Sequence, residues 1–90
     1  MIQYEIKISG RVQGVGFRYF VYHKAKEFGL KGWVKNSVDG GVLVMVQCDT
    51  TEIDIFIDYL RIGPIRSRVD KISKHKMELL VDFDNFSIKY

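Results

Sequence analysis

A single cysteine, Cys48, stands among the 90 residues, which excludes an internal disulfide and any metal cluster built on several cysteines. It also favours a reducing compartment. No stretch approaches the roughly 20 apolar residues that a membrane-spanning helix requires. The start, Met1-Ile2-Gln3-Tyr4-Glu5-Ile6-Lys7-Ile8, alternates apolar with polar residues and lacks the basic opening and apolar run of a secretion signal. A cytoplasmic protein with no membrane partner is expected. Familiar phosphate signatures are missing too. There is no Gly-x-x-x-x-Gly-Lys, so a P-loop ATPase is excluded. Gly14-x-Gly16-x-x is followed by Tyr19, where a dinucleotide-binding turn needs glycine. Six positions after Cys48 stands Asp54, not the arginine that a cysteine phosphatase uses. His23 and His75 have no visible serine or cysteine partner for a nucleophilic triad. Asp82 and Asp84 lie in a late loop without the further ligands a metal site needs, so no metal is expected.

What is present is an ordinary globular composition: 47% hydrophobic, 13% aromatic and 28% charged, with a net charge of +3. A chain of this size buries one modest core, so residues 1–90 are read as a single domain and a monomer. The mild positive charge attracts small anions. The lysines at Lys71, Lys74 and Lys76 are read as a solvated strand face.

Periodicity supplies the elements. Ile2, Tyr4, Ile6 and Ile8 alternate with polar residues, the mark of a half-buried strand. Phe17, Phe20, Val21, Ala25 and Phe28 fall at helical spacing, and Gly29 is a good stop. Lys31–Val38 and Val42–Gln47 read as strands joined by Asp39-Gly40-Gly41, a hairpin. Asp49 with Glu52 three residues on predicts a capping box for a second helix carrying Ile53, Phe56, Ile57 and Leu60, which Gly63-Pro64 ends. Val69 to about Lys76 is a fourth strand, and Phe86–Tyr90 a short last one. This order predicts an α+β sandwich of the ferredoxin-like βαββαβ type, an antiparallel sheet with two helices on one face. Right-handed crossovers then predict the order 4-1-3-2, with the short strand unplaced.

The chemistry concentrates in Gln13-Gly14-Val15-Gly16-Phe17-Arg18, between the first strand and the first helix. Two glycines permit positive φ, so successive N–H groups can curl into an anion nest. The helix N-terminus adds free N–H groups and the positive dipole end. Arg18 sits in that first turn, where a cation is disfavoured unless an anion lies between. Its planar fork matches two oxygens of a phosphoryl group. Asn36 stands at core parity with Val34 and Val38, where a polar residue needs a partner or a task. Asparagine is also a common turn residue, and taken alone Asn36 reads as structural.

Gly10-Arg11-Val12-Gln13-Gly14-Val15-Gly16-Phe17-Arg18, then Gly29-Leu30-x-Gly32-Trp33-Val34-Lys35-Asn36 and Asp39-Gly40, resemble the acylphosphatase family. Gly63-Pro64, Val69 and Phe86-x-Ile88 match its later landmarks, so the resemblance spans essentially the whole chain. It implies hydrolysis of acyl phosphates to a carboxylate and inorganic phosphate, without metal or cofactor, with inorganic phosphate as product and inhibitor. It assigns phosphate binding to Gln13, Gly14, Val15, Gly16 and Phe17, and catalysis to Arg18 and Asn36, which reverses the structural reading of Asn36. Leu43 and Cys48 depart from the family, which often has an acidic residue and a glycine there. The alternatives are a silent anion-binding module and an RNA binder of the same fold class. The RNA-binding mode needs aromatics on the third strand, and Val42-Leu43-Val44-Met45-Val46-Gln47 has none, so no nucleic-acid partner is expected.

Overall fold

A computed structural model describes residues 1–78 and 81–90. The elements are β1 (Ile2–Arg11), α1 (Phe17–Phe28), β2 (Lys31–Asn36), β3 (Val42–Cys48), α2 (Thr50–Ile62), β4 (Arg68–Met77) and β5 (Phe86–Ile88). They form one sheet in the order β4-β1-β3-β2-β5. The four longer strands take the expected order, and all their pairings are antiparallel. The short strand joins the outer edge of β2 and runs parallel to it, with Phe86 opposite Gly32 and Ile88 opposite Val34. The sheet is therefore mixed at that edge.

Alternation along β1 buries Tyr4, Ile6 and Ile8 under the helices. Helix α1 adds Phe17, Val21 and Ala25, and α2 adds Ile53, Phe56, Ile57 and Leu60. These pack with Val34, Val44 and Val46 into one core between helices and sheet. Gly29 ends α1 in the left-handed conformation, φ 69°. Its N–H reaches Lys26 O and the Leu30 N–H reaches Ala25 O, so orphan carbonyls of the last turn are satisfied. At α2 the expected capping box is present: the Asp49 N–H donates to the Glu52 carboxylate at 3.3 Å, and the Asp49 side chain accepts from the Glu52 N–H.

Two boundaries differ from the sequence reading. Strand β2 stops at Asn36, not Val38, because the turn begins sooner: Ser37 N–H donates to Gly41 O at 2.9 Å, and Asp39 Oδ1 accepts from Gly41 N–H at 3.0 Å. Val38 consequently stands fully exposed at the tip. Strand β5 ends at Ile88, although the Lys89 N–H still donates to Val34 O at 2.8 Å.

The chain must cross from β4 to the opposite edge before β5. Gln47, 2% exposed, holds that crossing. Its amide donates to Gln3 Oε1 at 3.1 Å and to Val81 O at 2.6 Å, and its Oε1 accepts from Phe83 N–H. A buried side-chain amide with all three bonds made is stable where an unpaired one would cost about 1–3 kcal/mol.

Candidate active site

The turn between β1 and α1 is fixed at both ends by buried side chains, Val12 and Phe17, each 1% exposed. Between them Gly14 and Gly16 take φ values of 73° and 81°. A Cβ at either would meet nothing within 4 Å, so backbone conformation and not space demands glycine here. Left-handed residues in such a turn aim successive N–H groups at one point, and the α1 N-terminus begins at that point. Phe20 N–H to Gly16 O, at 3.1 Å, is its first helical bond.

Gln13 ties this turn to the rest of the sheet. Its side-chain amide donates to Ser37 O and Gly41 O, both at 2.8 Å. That amide nitrogen is fully used, so Gln13 has only its backbone N–H to offer an anion. Val15 packs against the core edge and likewise offers backbone alone.

Arg18 lies in the first turn of α1, which holds no acidic residue. Among the described residues no carboxylate comes within 4 Å of it. Its Nη1 donates to the carbonyl of Lys89 at 3.2 Å, and its guanidinium carbon sits 4.7 Å from the centre of the Tyr90 ring. The neighbouring Tyr19 pushes the Tyr90 phenol above its ordinary pKa, while Arg18 pulls it down. The guanidinium is thus held in place by the last two residues of the chain while its positive charge is not neutralised.

Asn36 arrives from the end of β2, paired across the hairpin with Val42. Its Oδ1 is buried and has no hydrogen-bond partner among the described residues. Asn36, Arg18, Gly14, Gly16 and Phe17 line one pocket of about 120 Å³, which Val12 and Tyr19 complete. Donors and acceptor divide the task. The N–H groups and guanidinium suit phosphoryl oxygens, whereas a carbonyl oxygen repels them and suits the O–H of a water.

Of the residues singled out in the sequence, the pocket gathers Gly14, Gly16, Phe17, Arg18 and Asn36, while the side chains of Gln13 and Val15 lie elsewhere. Sequence reasoning missed Tyr19, Lys89 and Tyr90, for which no local pattern exists. His23, His75, Asp82 and Asp84 are all exposed. Among the described residues no group of three or more His, Cys, Asp or Glu side chains could hold a metal. Leu43 faces away from the helices beside Lys7 and Lys35. Cys48 is a free buried thiol at the far end of β3, and burial pushes its pKa up to about 11. Neither departure borders the pocket.

Known proteins share this architecture. The family model described as Acylphosphatase matches residues 4–88. The chain is 40% identical to an acylphosphatase of Mannheimia succiniciproducens over 90 residues, covering 100% of both chains. It is 39% identical to an acylphosphatase of Archaeoglobus fulgidus, again over 100% of both. The crystal structure of acylphosphatase from Bacillus subtilis superposes with a TM-score of 0.94 at 41% identity, covering 100% of each chain.

Proposed function

The chain belongs to the acylphosphatase family and hydrolyses acyl phosphates, and from that premise we propose that Arg18 and Asn36 perform the reaction on a phosphoryl group seated in the Gly14–Phe17 turn. The observation that carries the assignment is that Asn36, whose buried Oδ1 has no partner among the described residues, lines the same pocket as Arg18, whose guanidinium no carboxylate compensates.

An acyl phosphate is a mixed anhydride. Its leaving group is a carboxylate, which departs readily as an anion, so no strong general acid is required. The work is positioning and charge stabilisation, as in other phosphoryl transfers. The turn N–H groups and the Arg18 fork bind the phosphoryl oxygens as charge spreads over them. Asn36 accepts a hydrogen bond from a water and holds its oxygen toward phosphorus. The water oxygen bonds to phosphorus as the bond from phosphorus to the acyl oxygen breaks, and that electron pair leaves with the carboxylate. Asparagine is no base near neutral pH, so the water proton passes to a phosphoryl oxygen. The products are a carboxylate and inorganic phosphate, which inhibits by occupying the same turn.

In this reading the enzyme needs no metal or cofactor and works as a cytoplasmic monomer. The free, buried Cys48 supports a reducing compartment. Among the described residues no helix is long and apolar enough to cross a membrane. Hydrolysis of benzoyl phosphate, followed with and without a chelator and against rising inorganic phosphate, tests it. Turnover should be indifferent to the chelator and competitively inhibited by phosphate. Chelator-sensitive turnover, or phosphate inhibition that is not competitive, would overturn the scheme.

A further inference from the structure

A hollow of about 370 Å³, larger than the one of about 120 Å³ at the phosphate turn, lies on the helix-free face of the sheet. It is built by register. Lys7 of β1 pairs with Leu43 of β3 on one side and Ser73 of β4 on the other, so these three side chains form one row. The next row pairs Ser9 with Lys71. There the register shifts, between Ser9 and Gly10. Such a bulge bends its strand and re-aims side chains. Gly10 takes φ 130°, and a Cβ there would strike Arg68 O and Asp70 N, so the close approach of β1 and β4 depends on glycine. The third wall is the β2–β3 turn, which contributes Ser37, Val38 and Asp39.

The chemistry of the lining is specific. Lys71 has no carboxylate within 4 Å among the described residues, and Lys7 meets only Glu5, at 3.9 Å with its side chain 64% exposed. Among the described residues Lys71 therefore lines the hollow without an ion-pair partner, and Lys7 lines it with only the long contact to Glu5. The acid in the lining, Asp39, accepts from the Ser37 hydroxyl and the Gly41 N–H, bonds that hold its carboxyl below the usual pKa and so keep it negative, and that charge also acts on Lys7. The hydroxyl of Ser73 can donate to an anion, whereas that of Ser9 donates to the Lys71 carbonyl at 3.5 Å. Leu43 and the exposed Val38 offer apolar contact for an organic body.

We infer that this hollow is a second binding site, for a small carboxylate with a hydrocarbon body, its carboxylate on Lys7 and Lys71 and its body against Leu43 and Val38. This is the chemical class of the organic product, so its relevance to turnover rests on the reading above, although binding itself does not. The site also touches the catalytic pocket through one element. The turn that walls it carries the two carbonyls that hold Gln13, and Asn36 immediately precedes it. An occupant that engages Ser37 and Asp39 acts on the turn that holds both.

Benzoate and inorganic phosphate are the probes, titrated separately and together into the full chain, with backbone amide NMR and calorimetry as readouts and no turnover required. Benzoate should shift the amides of Leu43, Lys71, Ser73 and Ser37–Gly41, and phosphate those of Gly14–Arg18. Saturating phosphate should not displace benzoate. Lys7→Ala combined with Lys71→Ala should weaken benzoate about tenfold or more, as for losing charge-assisted bonds, with kcat/KM for benzoyl phosphate unaltered. Displacement of benzoate by phosphate, benzoate shifts confined to Gly14–Arg18, or affinity indifferent to the two lysines would each overturn the proposal. Failure of the catalytic scheme would show instead as altered chelator or phosphate behaviour in the turnover assay.

Discussion

The side chain of Arg18 donates to the main-chain carbonyl of Lys89 at 3.2 Å, a contact across 71 positions of sequence. With the Tyr90 ring over the guanidinium, the end of the chain holds the fork in one orientation before any anion arrives. Pre-ordering a long side chain removes part of the entropy lost on binding. Removal of Lys89 and Tyr90 should therefore lower kcat/KM for benzoyl phosphate about three- to tenfold, the equivalent of reordering one rotamer-rich side chain. Circular dichroism should show the fold retained, since only the Lys89 N–H bond to Val34 is lost from the sheet edge.

Arg18→Lys should be nearly as poor as Arg18→Ala. An ammonium is a point charge that cannot present two parallel donors or span from the Lys89 carbonyl to a phosphoryl oxygen. Steady-state kinetics on acyl phosphate should show losses of about a hundredfold in each, the scale of removing one principal transition-state donor. A lysine variant with near-native kcat would mean that charge alone suffices.

Asn36→Ala separates activity from stability. The Oδ1 has no partner to lose among the described residues, so thermal stability should be unchanged or slightly raised. Turnover should fall about a hundredfold if Asn36 orients the water. The loss should fall on kcat and leave phosphate inhibition intact, because the phosphoryl grip belongs to Arg18 and the turn. A folded variant with full activity would remove Asn36 from the reaction.

How much of this the sequence discloses depends on range. Gly14, Gly16 and Arg18 lie within one turn and one helix start, so their local pattern is enough to suggest the anion cradle proposed for them. The strands and helices follow from periodicity for the same reason, and the crossover rule extends that to the order of the four long strands. Asn36 shows only as a polar residue at core parity, and its place opposite Arg18 depends on folding two distant segments together. Strand β2 ends early because Ser37 and Asp39 bond Gly41 locally, a pattern the Asp39-Gly40-Gly41 signal conceals by marking only the turn's second half. The partner of β5 and the clasp of Tyr90 on Arg18 are wholly long-range, and no spacing in the chain encodes them.

Gln13→Ala should cost stability and activity together. The amide satisfies two carbonyls of the β2–β3 turn, each at 2.8 Å. Its loss should destabilise by about 1–2 kcal/mol, since the site is half-buried and water replaces part of the bonding. Denaturant unfolding measures this. A smaller fall in kcat should accompany it, as Asn36 loses the brace beside it.

Cys48 predicts a pH effect. Burial, helped by the nearby Glu52 and Asp49 charges, lifts its thiol from an ordinary 9.0 to about 11. Between those values the unfolded chain has released the proton and the native state retains it. The native state then binds more protons, and stability falls as pH rises through that window, having been full below it. Unfolding midpoints of wild type and Cys48→Ala should converge or cross from pH 9 to 11. Native Cys48 should also resist thiol reagents at pH 8, where it is protonated and enclosed.

By pairing with β2, the three-residue strand β5 makes one edge of the sheet short and leaves β4 as its long open border. That border is studded with Arg68, Lys71, Lys74 and Lys76, against one acid, Asp70. A second copy sliding in to extend the hydrogen-bond ladder would meet its own cations face to face. The protein thus guards itself against uncontrolled strand-to-strand growth by shortening one edge of the sheet and charging the other.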